Sequence, residues 1–179
     1  MRNKSTTRIA LTAIFAALYS VGVVFLAPIS FQVFQVRVAD ALLPLAILFG
    51  WPAVLGLSLG AFVANVFGGL GPVDMVGGAL ANFIATLAAW RIARGRSKGW
   101  ILVGIGVEIL IVTFVVGSYL SYLLAIPLQL SWFGILLGSL VAIGVLGSIL
   151  LLALSRRNIA GILEAHGLKE NPAHGSNPE

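Results

Sequence analysis

The chain has 179 residues, of which 9% are charged and 59% hydrophobic, with a formal net charge of +5 and a mean hydropathy of +1.05. A soluble domain carries about 25% charged residues. A chain of this size cannot hide so much apolar surface from water, so the composition points to one integral membrane domain and leaves no length for a soluble catalytic one. Cys is absent, which excludes disulfides and thiolate metal sites. The basic residues form three short clusters at the ends of apolar stretches, a pattern of membrane topology rather than a nucleic-acid footprint.

Residues 1–8 are basic and precede the apolar run 9–27. That run is longer than the roughly 7–15 residues of a signal-peptide core, so it reads as a retained first span. Residues 38–66 are long for one helix and short for two, and Gly50-Trp51-Pro52 breaks them. They read as a hairpin of two short helices, 38–49 and 53–67. Further spans are expected at 73–90, 100–125 and 132–155, each near the ~20 apolar residues that cross a bilayer.

Charge selects six spans over five. With six, Arg2/Lys4/Arg8, Arg91/Arg94/Arg96/Lys98 and Arg156/Arg157 all lie on one side, and the positive-inside rule puts both termini in the cytoplasm. The outer loops 28–36, 68–72 and 126–131 are then all uncharged. The expected fold class is thus an all-α integral membrane protein, with a six-helix domain over 1–163. A polar tail over 164–179, rich in turn residues, is expected to be disordered.

Ionisable residues left in lipid are costly and therefore informative. Between residues 9 and 89 only Arg37, Asp40 and Asp74 are charged; between 99 and 155 only Glu108 is. Arg37 and Asp40 are three apart and can pair on one helix face, structurally or at a site. Asn65 is followed by a loop with three glycines, then by Asp74 at the start of the next helix, where a negative charge suits the macrodipole. Asn82 lies about two turns deeper. Glu108 lies about 12 Å into the fifth span, and Tyr119 and Tyr122 fall on nearly its face by helical spacing. Such a stripe suits a planar, nitrogen-rich solute: the rings stack on it while carboxylate or amide groups take its donor edge. Gln35, with Gln32, sits in the uncharged 28–36 loop and can cover a ligand without bringing an ion. The plainer alternatives are an N-terminal helix charge for Asp74 and a protonated carboxyl bonded to backbone for Glu108.

Other features narrow the class. No P-loop occurs, so the chain has no such ATP site. Both His residues, His166 and His174, lie in the tail, so neither a catalytic dyad nor a metal cluster is expected within the membrane. The expectation is a non-enzyme without cofactors. No internal repeat is visible, against the usual inverted-repeat secondary transporter. Gly56-x3-Gly60-x3-Ala64 and Gly134-x3-Gly138-x3-Ala142 read as close helix packing, and Ala10, Ala13 and Ala17 share a small-residue face on the first helix.

Two stretches carry a family resemblance. Val36-Arg37-Val38-Ala39-Asp40-Ala41-Leu42-Leu43-Pro44-Leu45, followed by Gly60-x4-Asn65-x2-Gly68-Gly69-x-Gly71-x2-Asp74-x2-Gly77-x3-Ala81, resembles the QueT family of substrate-binding S components of energy-coupling factor (ECF) transporters. The resemblance runs from about Ala10 to Ala89, with Asp40 where the family's Arg-x2-Glu pattern has Glu. It implies a six-helix S-component bundle in the plasma membrane and capture of a 7-deazaguanine precursor of queuosine, preQ0 or preQ1. It also implies two kinds of partner, a transmembrane coupling protein and two cytoplasmic ATPases. The coupling protein would dock on the Ala-x3-Ala face that Ala13 and Ala17 match. Ligand-binding residues are then expected among Asn82, Glu108, Asp74, Asn65, Tyr119, Tyr122, Gln35, Arg37 and Asp40. A self-sufficient secondary transporter with Glu108 or Asp74 as proton site, an S component for another vitamin, and an assembly protein remain as alternatives.

Overall fold

A computed structural model describes residues 4–30 and 36–155. Among these, no strand occurs, and the helices account for almost all of the chain. Helix α1 is Lys4–Phe25, followed by the short turn Ala27–Ser30. Helix α2 is Val38–Phe49, α3 Trp51–Gly68, α4 Pro72–Ala93, α5 Lys98–Leu124 and α6 Leu128–Leu154. Five of them, all but α2, are long and apolar enough to cross a membrane.

The short helix α2 is built differently. Its first part, Val38–Leu45, is a 3-10 helix with Pro44 inside; one α-turn, Ala46–Phe49, completes it. Proline has no N–H to give to an α-helical ladder, and the α-turn begins only after it. The rise of the two parts amounts to about 22 Å, less than a hydrocarbon core of roughly 30 Å. The break expected at Gly50-Trp51-Pro52 is present. Gly50 takes φ 60° and ψ −135°, a conformation that strains any residue with a Cβ, and Pro52 opens α3 where its missing N–H costs nothing.

Helices α1 and α3 run parallel. A Cβ on Gly56 would lie 2.6 Å from the Thr12 carbonyl oxygen and the Phe15 Cβ; one on Gly60 would lie 2.8 Å from the Ala16 carbonyl oxygen and the Tyr19 Cβ. Both series advance together, so the small residues of α3 let two backbones meet in the same direction. Helices α3, α4, α5 and α6 then pack in sequence order, and the 3-10 stretch of α2 packs against α6. Because α1 and α3 are parallel, the chain between them returns along the bundle, and α2 is the helix on that return.

Several boundaries differ from those expected. Helix α6 begins at Leu128, so Gln129 and Ser131 belong to a helix and the connection expected over 126–131 is instead three residues, Ala125 to Pro127. The Ser131 hydroxyl donates to the Gly117 carbonyl at 2.7 Å, which anchors that first turn to α5. Within α6, Leu140–Gly147 is a π-helix. Its Gly147 lies where a Cβ would meet Pro44 at 2.8 Å, so the widened turn carries the close contact with α2. The expected disordered tail, Arg156/Arg157, Arg2, Gln32 and Gln35 all lie outside the described residues.

Candidate ligand-binding site

The described bundle buries four charged side chains, and all are ones that the sequence singles out: Arg37, Asp40, Asp74 and Glu108. Arg37 precedes the first 3-10 turn and its carbonyl accepts the Asp40 N–H at 2.8 Å, which fixes the two side chains at one end of α2. Both line a narrow cleft with Asn82 of α4, Val112 and Val116 of α5, and Ile135, Gly138 and Ser139 of α6. The cleft is narrow, with about 10 Å³ open to the centre of a water molecule, room for about one water. Asp40 also accepts a hydrogen bond of 2.5 Å from the Tyr19 hydroxyl of α1.

A second cluster lies where α3 ends and α4 starts. Gly69 and Gly71, at φ 72° and 89°, turn the chain between them. This turn brings the Asn65 amide nitrogen 2.8 Å from the Asp74 carbonyl, to which it donates. Tyr119 of α5 donates its hydroxyl to Asp74 Oδ1 at 3.0 Å. Gly77 and Gly78 make the space: a Cβ on the first would lie 2.9 Å from the Tyr119 ring, and one on the second would collide with the Asn65 amide nitrogen. Arg37 lies within electrostatic reach of Asp40, Asp74, Tyr19 and Tyr119, so the two clusters share one cation.

Glu108 is fully buried, one turn from the cleft-lining Val112 on the same face of α5. It does not line the cleft itself. Neither of its carboxyl oxygens has a hydrogen-bond partner among the described residues, and Asp40 is the charged group within electrostatic reach. Asn82 is buried, with its amide donating to the Leu57 carbonyl at 3.3 Å.

The aromatic stripe is only half formed. Tyr119 faces the bundle, whereas Tyr122 is 81% exposed and points away from it. Three residues turn a helix by about 300°, so Tyr122 falls some 60° from Tyr119, enough to leave the inner face. Tyr19 and Ser139 are site residues that the sequence reading omits. Tyr19 is a signal that was available: a hydroxyl at four-residue spacing with Phe15 and Val23, all three buried. Ala10, Ala13 and Ala17 are exposed on α1, on the side away from Phe15 and Tyr19.

A bundle of apolar helices with a polar cleft among them is an architecture that membrane transport proteins use. The comparisons agree. A family model described as QueT transporter matches residues 9–156, well beyond the stretch that carries the motifs. The chain belongs to the QueT transporter family and is a multi-pass membrane protein. Neither the curated proteins nor the solved structures give a match.

Proposed function

We propose that this chain is the substrate-binding S component of an ECF-type importer in the plasma membrane and that it captures a 7-deazaguanine precursor of queuosine. The observation that carries the reading is the ring of buried polar groups around one cleft: Arg37, Asp40 and Asn82 on its wall, Tyr19 and Glu108 behind them. A 7-deazaguanine presents a ring N–H beside an amino group, and one carboxylate accepts both. Glu108, whose oxygens are uncommitted among the described residues, takes that edge. The amide of Asn82 serves the ring carbonyl, and Tyr119 bounds the site toward the Gly69–Gly71 turn. The cleft is narrower than a purine, so binding requires its helices to part.

Six crossings with both termini in the cytoplasm follow in this reading, α2 being the short second one. The parallel α1 and α3 support it, since a helix must bring the chain back between them. The face of Ala10, Ala13 and Ala17 docks the coupling protein, and two ATPases supply the energy. Native mass spectrometry of the purified chain tests the function directly. A bound species with the mass of preQ0 (7-cyano) or preQ1 (7-aminomethyl) is expected; a different metabolite would reassign the substrate. One observation favours a second reading: a fully buried acid without a hydrogen-bond partner among the described residues is also what a proton-coupled carrier needs. Uptake by the chain alone in proteoliposomes, driven by a pH gradient, would select that reading.

A further inference from the structure

The hydrogen-bond inventory of the site is unbalanced. Three carboxyls, Asp40, Asp74 and Glu108, stand against one guanidinium, Arg37, as the buried charged groups of the described bundle. The two phenols that reach this region are already used, Tyr19 by Asp40 and Tyr119 by Asp74 Oδ1. Arg37 lies within electrostatic reach of Asp74, yet among the described residues acceptors without a hydrogen-bond donor remain. They include Asn65 Oδ1 and Asp74 Oδ2, on side chains that are 0% and 1% exposed.

These two oxygens belong to one rigid unit. The Asn65 nitrogen bonds the Asp74 carbonyl oxygen, which can only accept, so the orientation of the amide is fixed and its oxygen is left over. Gly77 and Gly78 press the unit between the Tyr119 ring and the helix backbone, so neither side chain can swing out without opening the α3–α4–α5 contact. A buried acceptor without a donor costs about as much as a lost hydrogen bond, and more when it is charged. A group that supplies both donors and charge removes that cost.

We infer that Asn65 and Asp74 form a subsite for a positively charged, hydrogen-donating group of the ligand, a primary ammonium. The inference rests on the function proposed above and sharpens it. An ammonium carries three donors and no acceptor, and its bonds to a carboxylate are charge-assisted. Of the two 7-deazaguanines, preQ1 places an aminomethyl cation beyond the ring, whereas the nitrile of preQ0 offers only a lone pair to two oxygens that already lack donors. The subsite therefore selects preQ1. A free monovalent cation favours the same pair of oxygens, and the choice of salt separates the two.

Titration calorimetry of the full chain with preQ1 and with preQ0, each in sodium chloride and in choline chloride, tests the subsite. In both salts preQ1 is expected to bind about ten- to a hundred-fold more tightly. Asp74→Asn should bring the ratio close to one by weakening preQ1 alone. Equal affinities in the wild type would overturn the subsite and leave the proposed function standing. Tighter preQ0 binding in sodium than in choline would put a metal cation at these oxygens, and would overturn it too. Binding of neither compound would remove the ligand reading and the subsite together. The wild-type ratio decides the question even if Asp74→Asn does not fold.

Discussion

The Tyr19 hydroxyl donates to Oδ1 of Asp40 across 21 residues of sequence, and the bond joins α1 to α2. Tyr19 is on α1, whose opposite side exposes Ala13 and Ala17; Asp40 is on α2 and lines the cleft. The one contact thus connects the face proposed for partner docking with the wall of the proposed ligand site.

Tyr19→Phe keeps the ring and removes the donor. Asp40 then has a buried carboxylate oxygen without its partner, which costs on the order of 1–3 kcal/mol. Thermal unfolding in detergent should show a lower midpoint, and ligand affinity should fall by roughly ten-fold as Asp40 loses its orientation. An unchanged midpoint and affinity would mean that the bond holds nothing in place.

Gly60 tests the α1–α3 contact. A Cβ there would sit 2.8 Å from the Ala16 carbonyl oxygen, which is backbone and cannot rotate away. Gly60→Ala should therefore destabilise the bundle by about 1–3 kcal/mol, as overpacking does. The control is Ala17→Leu on the exposed side of α1, where a good helix former adds bulk away from the α3 contact and the unfolding midpoint should barely move.

The exposed face of α1 should separate assembly from binding. Ala13→Trp and Ala17→Trp add bulk where no side chain of the described bundle is buried. Copurification of the coupling protein should be lost while ligand affinity, measured on the isolated subunit, stays at the wild-type value. Normal copurification with the double variant would rule out this docking face.

How far these elements were legible depends on the kind of signal. The break at Gly50 and the turn at Gly69–Gly71 were readable because only glycine takes those backbone angles easily and Pro52 and Pro72 each open the next helix. Arg37, Asp40, Asp74 and Glu108 were readable because an ion in lipid requires a reason, and all four prove buried. Tyr19 was legible only as part of a face with Phe15 and Val23, since a phenol in an apolar run looks like packing until its hydroxyl partner is placed. Tyr122 was misplaced because helical spacing tolerates some 60° before a residue leaves a face. The π-helix Leu140–Gly147 left no local mark: its apolar residues fit either helix, and its close contact with Pro44 through Gly147 is a tertiary feature.

Topology is accessible because the chain has no cysteine of its own. Single cysteines at Ser97 and Ser155 should be shielded from an impermeant reagent applied to intact cells, whereas one at Gln129, exposed at the start of α6, should be labelled. Labelling of Ser97 from outside would exclude the six-span arrangement with both termini in the cytoplasm.

The central claim is that the buried carboxyl beside the cleft reads the ligand, and Glu108→Gln tests it most directly. The substitution keeps shape and removes the charge, so the donor edge of a 7-deazaguanine loses half of its pairing. Titration of the folded variant with preQ1 should show an affinity about ten- to a hundred-fold below that of the wild type. Wild-type affinity in Glu108→Gln would contradict the account and make Glu108 a structural acid.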